Sequence, residues 1–407
     1  MKIAMERRQI LMKQGYKGYK SYQYLTEDVD YKSFELSKEI NRVQPYQIKL
    51  SDDQLKLFDE IVNESLIIDL HEHPTVIPKN LDDLKDYERS GREVTGFEAL
   101  SKSITDVVFD NMMDGTCIIH SKSGWKFQDV IHDIGMRNCD IDHQNFFIKG
   151  ESLDDFNRAK QEEKIAWVKV LESAAVIENE LDRIEQLYGF GIRMIGITYS
   201  ESNNLGSGLK EKEDGGLTSF GKKAVSRMNK VGIAIDVSHC GNKTALDIIK
   251  ESKQPVFISH IGAKALWDID RLKPDDVFKA CAAKGGVIGI EAAPHTTITE
   301  QYPYHDMDSF MEHFEYIKDL VGIDHLAFGP DTLFGDHVGL HDLFSSNFSL
   351  DQKTTRHKKV EYVKGLENPA EVMGNILKWL IKHNYSKEDI KKVMGENIIR
   401  VLKQVWI

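Results

Sequence analysis

The chain has 407 residues, 41% of them hydrophobic and 29% charged, with a formal net charge of −12. That is the composition of an ordinary soluble globular protein, and the acidic balance argues against a nucleic-acid binder, which needs a basic surface. No apolar run reaches the ~18 residues of a membrane-spanning helix, and the four cysteines, Cys117, Cys139, Cys240 and Cys281, form no CxxC pair, so free thiols in a reducing cytoplasm are expected.

Residues before about Asn63 are polar and tyrosine-rich. They open with basic residues but no apolar core of signal-peptide length, and a helix is predicted from Ser51 or Asp52 through Val62. This reads as an N-terminal extension, residues 1–63, packed on a main domain over 64–407. From Ser65 onward short β-branched runs alternate with amphipathic segments, the signature of βαβ units and a parallel sheet. Strands are predicted at Leu66 to Leu70, Thr116 to His120, Ala166 to Leu171, Arg193 to Thr198, Ile233 to Ser238, Val256 to Ser259, Val287 to Ala292 and Leu326 to Gly329. Eight such strands close a (β/α)8 TIM barrel, an α/β fold of about 250 residues or more with insertions. Between them, Thr218 or Ser219 starts a helix that stops before Gly232, Asn242 can cap the next, and Pro274-Asp-Asp276 opens another with its acids at the positive end of the helix dipole. Ser386 with Asp389 resembles a capping box. The long connections from about Lys79 to Gly115 and from Ser121 to Glu163 are expected to lie over the barrel mouth or at an interface.

The first predicted strand runs into His-Glu-His, so His71 and His73, two apart, can face a common point. Barrel enzymes place their chemistry at the carboxyl ends of the strands. There the chain offers His71 and His73, His120, Glu172, Tyr199, His239, His260, Glu291 and Asp331. Histidines and a carboxylate converging on one rim suit zinc or another first-row metal. The two histidines of strand one can hold one ion, His239 and His260 a second, and Glu172 can bridge them. Paired ions share a water and lower its pKa, holding hydroxide in front of a carbonyl or phosphoryl group. Asp331 is expected to take the proton from that water and return it to the leaving group.

Several runs also resemble a known family. Asp69-Leu-His-Glu-His-Pro74 looks like its Asp-Gly-His-x-Asp motif, Val170-Leu-Glu-Ser173 like its strand ending in a bridging glutamate, and Gly191-Ile-Arg-Met-Ile-Gly-Ile-Thr-Tyr199 like its fourth strand. Gly216-Leu-Thr-Ser-Phe-Gly221, Ile235-Asp-Val-Ser-His239, Pro255-Val-Phe-Ile-Ser-His260 and Met394-Gly-Glu-Asn-Ile-Ile-Arg400 follow in the family's order. The family is the membrane (renal) dipeptidases and their soluble bacterial relatives, within the amidohydrolase-type barrels. The resemblance runs from about Ser65 to the C-terminus. It implies a barrel with two zinc ions that hydrolyses dipeptides, usually as a homodimer. It further implies His71, Glu172, His239 and His260 as metal ligands, Asp331 as the acid/base carboxylate, and Arg271 as the residue that binds the substrate carboxylate, a task that suits a guanidinium fork.

Two positions depart from the family's pattern. His73 stands where the family has an aspartate, which adds one unit of positive charge to the cluster. Tyr199 stands where it has a histidine that polarises the scissile carbonyl; a phenol can donate a hydrogen bond to an oxyanion but carries no positive charge. The expected activity is therefore metal-dependent hydrolysis of amides in small carboxylate-bearing substrates. Hydrolysis of an N-acyl amino acid, cyclic amide, lactone or phosphoester by the same site, or a catalytically idle barrel, are the alternatives.

Overall fold

A computed structural model describes residues 13–112, 125–294, 296–347 and 360–407. Eight strands form the frame: β1 (Ile68–Val76), β2 (Val107–Met112), β3 (Ile165–Leu171), β4 (Ile192–Gly196), β5 (Ala234–Asp236), β6 (Phe257–Ile261), β7 (Val287–Ile290) and β8 (Leu326–Phe328). Each pairs in parallel with the next. The ring closes where Asp331, just past β8, donates its backbone N–H to the His71 carbonyl of β1 at 2.9 Å. A short strand, Leu333–Phe334, then continues in parallel along the end of β1. The molecule is the expected (β/α)8 barrel.

At the amino-terminal ends of the strands, Ile68, Val107, Ala166, Ala234, Phe257, Val287 and Ala327 form one buried cluster with Ile398, Val401, Leu402 and Val405. The last four lie on the helix Asn397–Val405, whose apolar side closes this end of the barrel. Each fully buried aliphatic side chain there contributes ~1.5–3 kcal/mol, so the closed end is the stable one. The polar side chains are left to the other.

The helix signals hold with one exception. Ser51 caps Asp52–Glu64 through a capping box, Thr218 caps Ser219–Val231 and left-handed Gly232 ends it, Pro274 precedes Asp275–Ala283, and Ser386 accepts from Asp389 N–H. Asn242 is not a cap. It is the first residue of the helix Asn242–Glu251, and the exposed amides of Lys243 and Thr244 donate instead to Asp214 Oδ2 at 2.7 and 3.1 Å. A carboxylate from a distant loop does the capping, which local spacing cannot reveal.

Strand boundaries differ where the site is built. The strand predicted over Thr116 to His120, and with it His120, lies outside the described residues. The barrel's second strand is Val107–Met112, inside what the sequence suggested was a long loop. Its polar residues hid it: Asp110 is buried, and its Oδ2 accepts from Arg137 Nη1 at 2.8 Å and Trp167 Nε1 at 2.7 Å. β1 likewise does not stop at Leu70 but runs through the histidines to Val76. Its pairing with β2 moves from Asp69↔Val108 to Glu72↔Asp110, so β1 carries one extra residue. In an unbroken strand Ile68, Leu70 and Glu72 would share a face. The bulge shifts the alternation, and His71 and His73 take the inner face instead. A matching slip in β6, from Ile258↔Ile288 to Ile261↔Ile290, brackets His260.

Close backbone approach is the other local requirement. A Cβ on Gly196 would lie 2.2 Å from the Glu172 carbonyl oxygen, and one on Gly329 2.2 Å from the Ser259 carbonyl. Gly196→Ala is therefore expected to cost ~1–3 kcal/mol of stability and to push Glu172 off its position. Urea unfolding midpoints of the two proteins, with their activities, test this; a Gly196→Ala variant as stable and as active as the parent would contradict it.

Residues 13–51 pack along the outside of the barrel. Tyr19 Oη donates to Asp140 at 2.6 Å, Ser37 N–H donates to the Ile77 carbonyl at 3.0 Å, and Arg42 is ion-paired with the buried Glu367. No helix among the described residues is long and apolar enough to cross a membrane.

Candidate active site

The carboxyl ends of the strands bring together most of the residues singled out from the sequence. Glu172 directly follows β3 and is buried. Its Oε1 lies 3.2 Å from His71 Nε2, 3.6 Å from His239 Nε2 and 3.7 Å from His260 Nε2. Asp331 Oδ1 lies 3.1 Å from His73 Nε2 and 3.5 Å from His71 Nε2. The Nε2 atoms of His239 and His260 face each other at 2.9 Å. Asp331 also holds a backbone φ of 57°, the left-handed region that costs a non-glycine residue of order 1–3 kcal/mol; the strain is held by the Asp331 N–H bond that closes the barrel.

The rings are oriented from behind. Ser259 Oγ has one proton, which it donates to Asp236 Oδ2 at 2.7 Å. It can then only accept from His260 Nδ1 at 2.8 Å and His71 Nδ1 at 3.2 Å. His73 Nδ1 donates to the Asn111 carbonyl at 2.8 Å. With every bracing proton on Nδ1, the Nε2 atoms of His71, His73 and His260 are the ones turned to the cluster, the arrangement that fixes the tautomer of a metal-ligating histidine. Glu72 is not wasted by the bulge: it accepts from His73 N–H at 2.9 Å and from Thr332 Oγ1 at 2.6 Å, tying β1 to the segment that carries Asp331. Sequence reading assigned nothing to Asp236, Ser259, Glu72 or Asn111. The available signal was polar residues inside otherwise apolar buried strands.

The electrostatics follow from this packing. Burial alone would raise the Glu172 carboxyl, but the imidazoles of His239 and His71 hold it down to about 2. Asp331 is likewise held well below the usual range, against burial, by His71 and His73. Burial opposes a charge on His71, yet Asp331 and Glu172 raise it to about 10. Burial, with Arg271 nearby, pushes His239 down to about 4. Two carboxylates thus flank His71 Nε2, and the surroundings favour a positive charge there.

The same residues have the donor chemistry to hold a metal ion. His71 Nε2, Glu172 Oε2 and His239 Nδ1 are buried without a hydrogen-bond partner, a costly state unless something else satisfies them. Three overlapping groups have ligand atoms within 4.8 Å of one another: His71, Glu172 and His260; His71, His73 and Asp331; and His260, Glu291 and Asp331. Imidazole and carboxylate donors in this number suit zinc and its first-row neighbours.

Arg271 lies at the edge of the cluster, paired with the buried Glu291 and donating to the His260 carbonyl at 3.4 Å. Its Nη1 has no hydrogen-bond partner. Glu291 itself lies just past β7, not within the strand as expected. Tyr199 follows β4 and stacks on His239, centroids 4.3 Å apart and planes 16° from parallel.

Comparison with known proteins fits this geometry. A family model described as membrane dipeptidase, peptidase family M19, matches residues 57–345 and 359–406. The chain belongs to that family. Among curated members of similar sequence, dipeptidase tcpJ of Claviceps purpurea is 25% identical over 291 residues, 69% of this chain and 62% of tcpJ. The chain therefore spans less than two thirds of that relative's length. An uncharacterised protein from the pqqA 5′ region of Klebsiella pneumoniae is 26% identical over 263 residues, 63% of this chain and 88% of that protein. An amidohydrolase from Pseudomonas aeruginosa superposes with a TM-score of 0.71 at 26% identity, covering 86% of this chain and 99% of that one. A metallopeptidase from Rhodobacter sphaeroides, solved with a phosphinate mimic of L-Ala-D-Ala, shares the fold at a TM-score of 0.64 and 15% identity, over 84% of this chain and all of that one. The family match begins at residue 57, inside the helix Asp52–Glu64, so membrane dipeptidase similarity leaves the preceding wrap unaccounted for.

Proposed function

We propose that this membrane dipeptidase family member is a zinc-dependent hydrolase of the amide bond in dipeptides or similar small carboxylate-bearing substrates. The observation that carries the proposal is Glu172 Oε1 lying 3.2, 3.6 and 3.7 Å from three imidazole Nε2 atoms, with a guanidinium at the edge of the same pocket. His71 and His73 would hold one ion, His239 and His260 a second, and Glu172 would bridge them. Metal held there would supply Lewis-acid activation for a water and for the scissile carbonyl.

The chain's own residues divide the remaining work. Arg271, anchored through Nη2 to Glu291, presents Nη1 to the substrate carboxylate and fixes the amide's orientation. Asp331, ionised at the rim, takes a proton from the attacking water and returns it to the leaving amine. Tyr199, stacked on His239, offers its hydroxyl as a donor to the developing oxyanion. The proposal includes residues 1–63 as an extension to the barrel over 64–407, and a cytoplasmic homodimer, which sedimentation velocity and cell fractionation test.

The deciding experiment is elemental analysis of the full chain purified without added metal or chelator, joined to a dipeptide panel. About two equivalents of zinc per chain and activity that chelation abolishes and zinc restores are expected. Activity that survives complete chelation would overturn the reading. A panel in which only esters, lactones or phosphoesters react would keep the site and change the bond.

A further inference from the structure

We propose that His337 and His341 form a further metal-binding site, separate from the cluster around Glu172, which takes a single divalent first-row transition ion such as zinc. The two residues open the helix His337–Asn347. Four residues apart on a helix, they project from one face, the spacing by which a helical histidine pair grips zinc. Their Nε2 atoms lie 3.0 Å apart, with ring centroids 4.7 Å apart and planes at 74°. Two such nitrogens at ordinary zinc–imidazole distances would subtend about 95° at a shared ion, between octahedral and tetrahedral angles.

The pair repeats the geometry of His239 and His260, whose Nε2 atoms are 2.9 Å apart. It repeats a second feature as well. His239 Nδ1 and His337 Nδ1 are both buried without a hydrogen-bond partner, and His337 is only 1% exposed. Burial shields the His337 ring from water, and its Nε2, on the other side of the ring from Nδ1, is turned to His341 Nε2.

The position is held firmly. His337 N–H donates to Glu367 Oε1 at 3.3 Å, and Glu367 is ion-paired with Arg42. Three residues earlier, Phe334 is in register with Val76 at the end of β1. The segment 13–51, which precedes the family match, thus supports the start of this helix beside the mouth. Two protein nitrogens leave coordination positions for water or a substrate oxygen, the condition of an open site.

The test uses the metal-free full chain, dialysed against buffered zinc and analysed for metal per chain, beside His341→Gln. The wild type is expected to bind one equivalent more than His341→Gln. Anomalous scattering at the zinc edge from wild-type crystals is expected to give a peak between the two Nε2 atoms. Equal stoichiometry in the two proteins, or no peak at the pair, would leave only an imidazole–imidazole hydrogen bond and overturn the proposal. If His341→Gln does not fold, the wild-type map decides alone. His239→Gln is expected to lose metal from the Glu172 cluster and keep the peak at His337 and His341, so the two readings fail separately.

Discussion

Glu172→Gln is expected to lower kcat/KM for a dipeptide by about 10³-fold or more, the consequence of losing about 4 kcal/mol of transition-state stabilisation at ~1.4 kcal/mol per factor of ten. The amide keeps the volume of the carboxylate but is neutral, and one of its two ends is a donor. Three imidazole Nε2 atoms surround Glu172 Oε1. All three lose their common anionic partner at once. The metal content should fall below that of the parent, and His71, raised to about 10 in the metal-free chain partly by Glu172, should titrate lower. Steady-state kinetics, elemental analysis and histidine NMR of the metal-free protein measure the three effects. A Glu172→Gln variant with the parent's metal content and near-parental kcat/KM would remove Glu172 from the centre of the site.

Arg271→Met has the second largest expected effect, and it should act on stability and on substrate choice together. The Glu291 side chain is fully buried and Arg271 is its ion-pair partner. Removing one member of a buried pair leaves an uncompensated charge, at a cost of ~3–5 kcal/mol. Glu291→Gln in the Arg271→Met background should recover most of that stability, because no charge is then left buried. It should recover none of the activity. Dipeptides with a free carboxylate are expected to lose about 10²-fold or more in kcat/KM, in line with the ~2–5 kcal/mol lost when a buried charged contact is truncated. Dipeptide amides, which lack the carboxylate, should be poor substrates of both proteins and change little between them. Equal losses for acids and amides would mean that Arg271 has only its structural role with Glu291.

The first prediction rests on a residue legible in the sequence, for a physical reason. Strand-end positions of a parallel barrel can be counted once the β-branched runs are recognised, and histidines, a glutamate and an aspartate at successive ends are a chemical pattern that survives errors of a residue or two. Glu172, Tyr199, His239 and Asp331 therefore sit past the strands to which they were assigned. The helix caps at Thr218 and Ser386 were legible because capping is a contact between residues two or three apart, whereas Ser51 was read only as a possible helix start and its capping box is seen in the structure. Arg271 was marked only by family resemblance; nothing in its own neighbourhood of Asp270, Lys273 and Asp275 separates it from a surface charge.

The chain's composition, strand spacing and rim residues by themselves determined a (β/α)8 barrel with a histidine and carboxylate mouth. What only the tertiary structure decided depends on partners far away in sequence. Val107–Met112 is a strand because Arg137 and Trp167 satisfy the buried Asp110, and no window of six residues contains that fact. The β1 bulge decides that His71 and His73, and not Glu72, face the cluster. Ser259, held by Asp236, decides which nitrogen of two rings is turned inward. Residue type sets what chemistry a side chain can do; its direction and protonation are set by neighbours that only the closed barrel brings within hydrogen-bond reach.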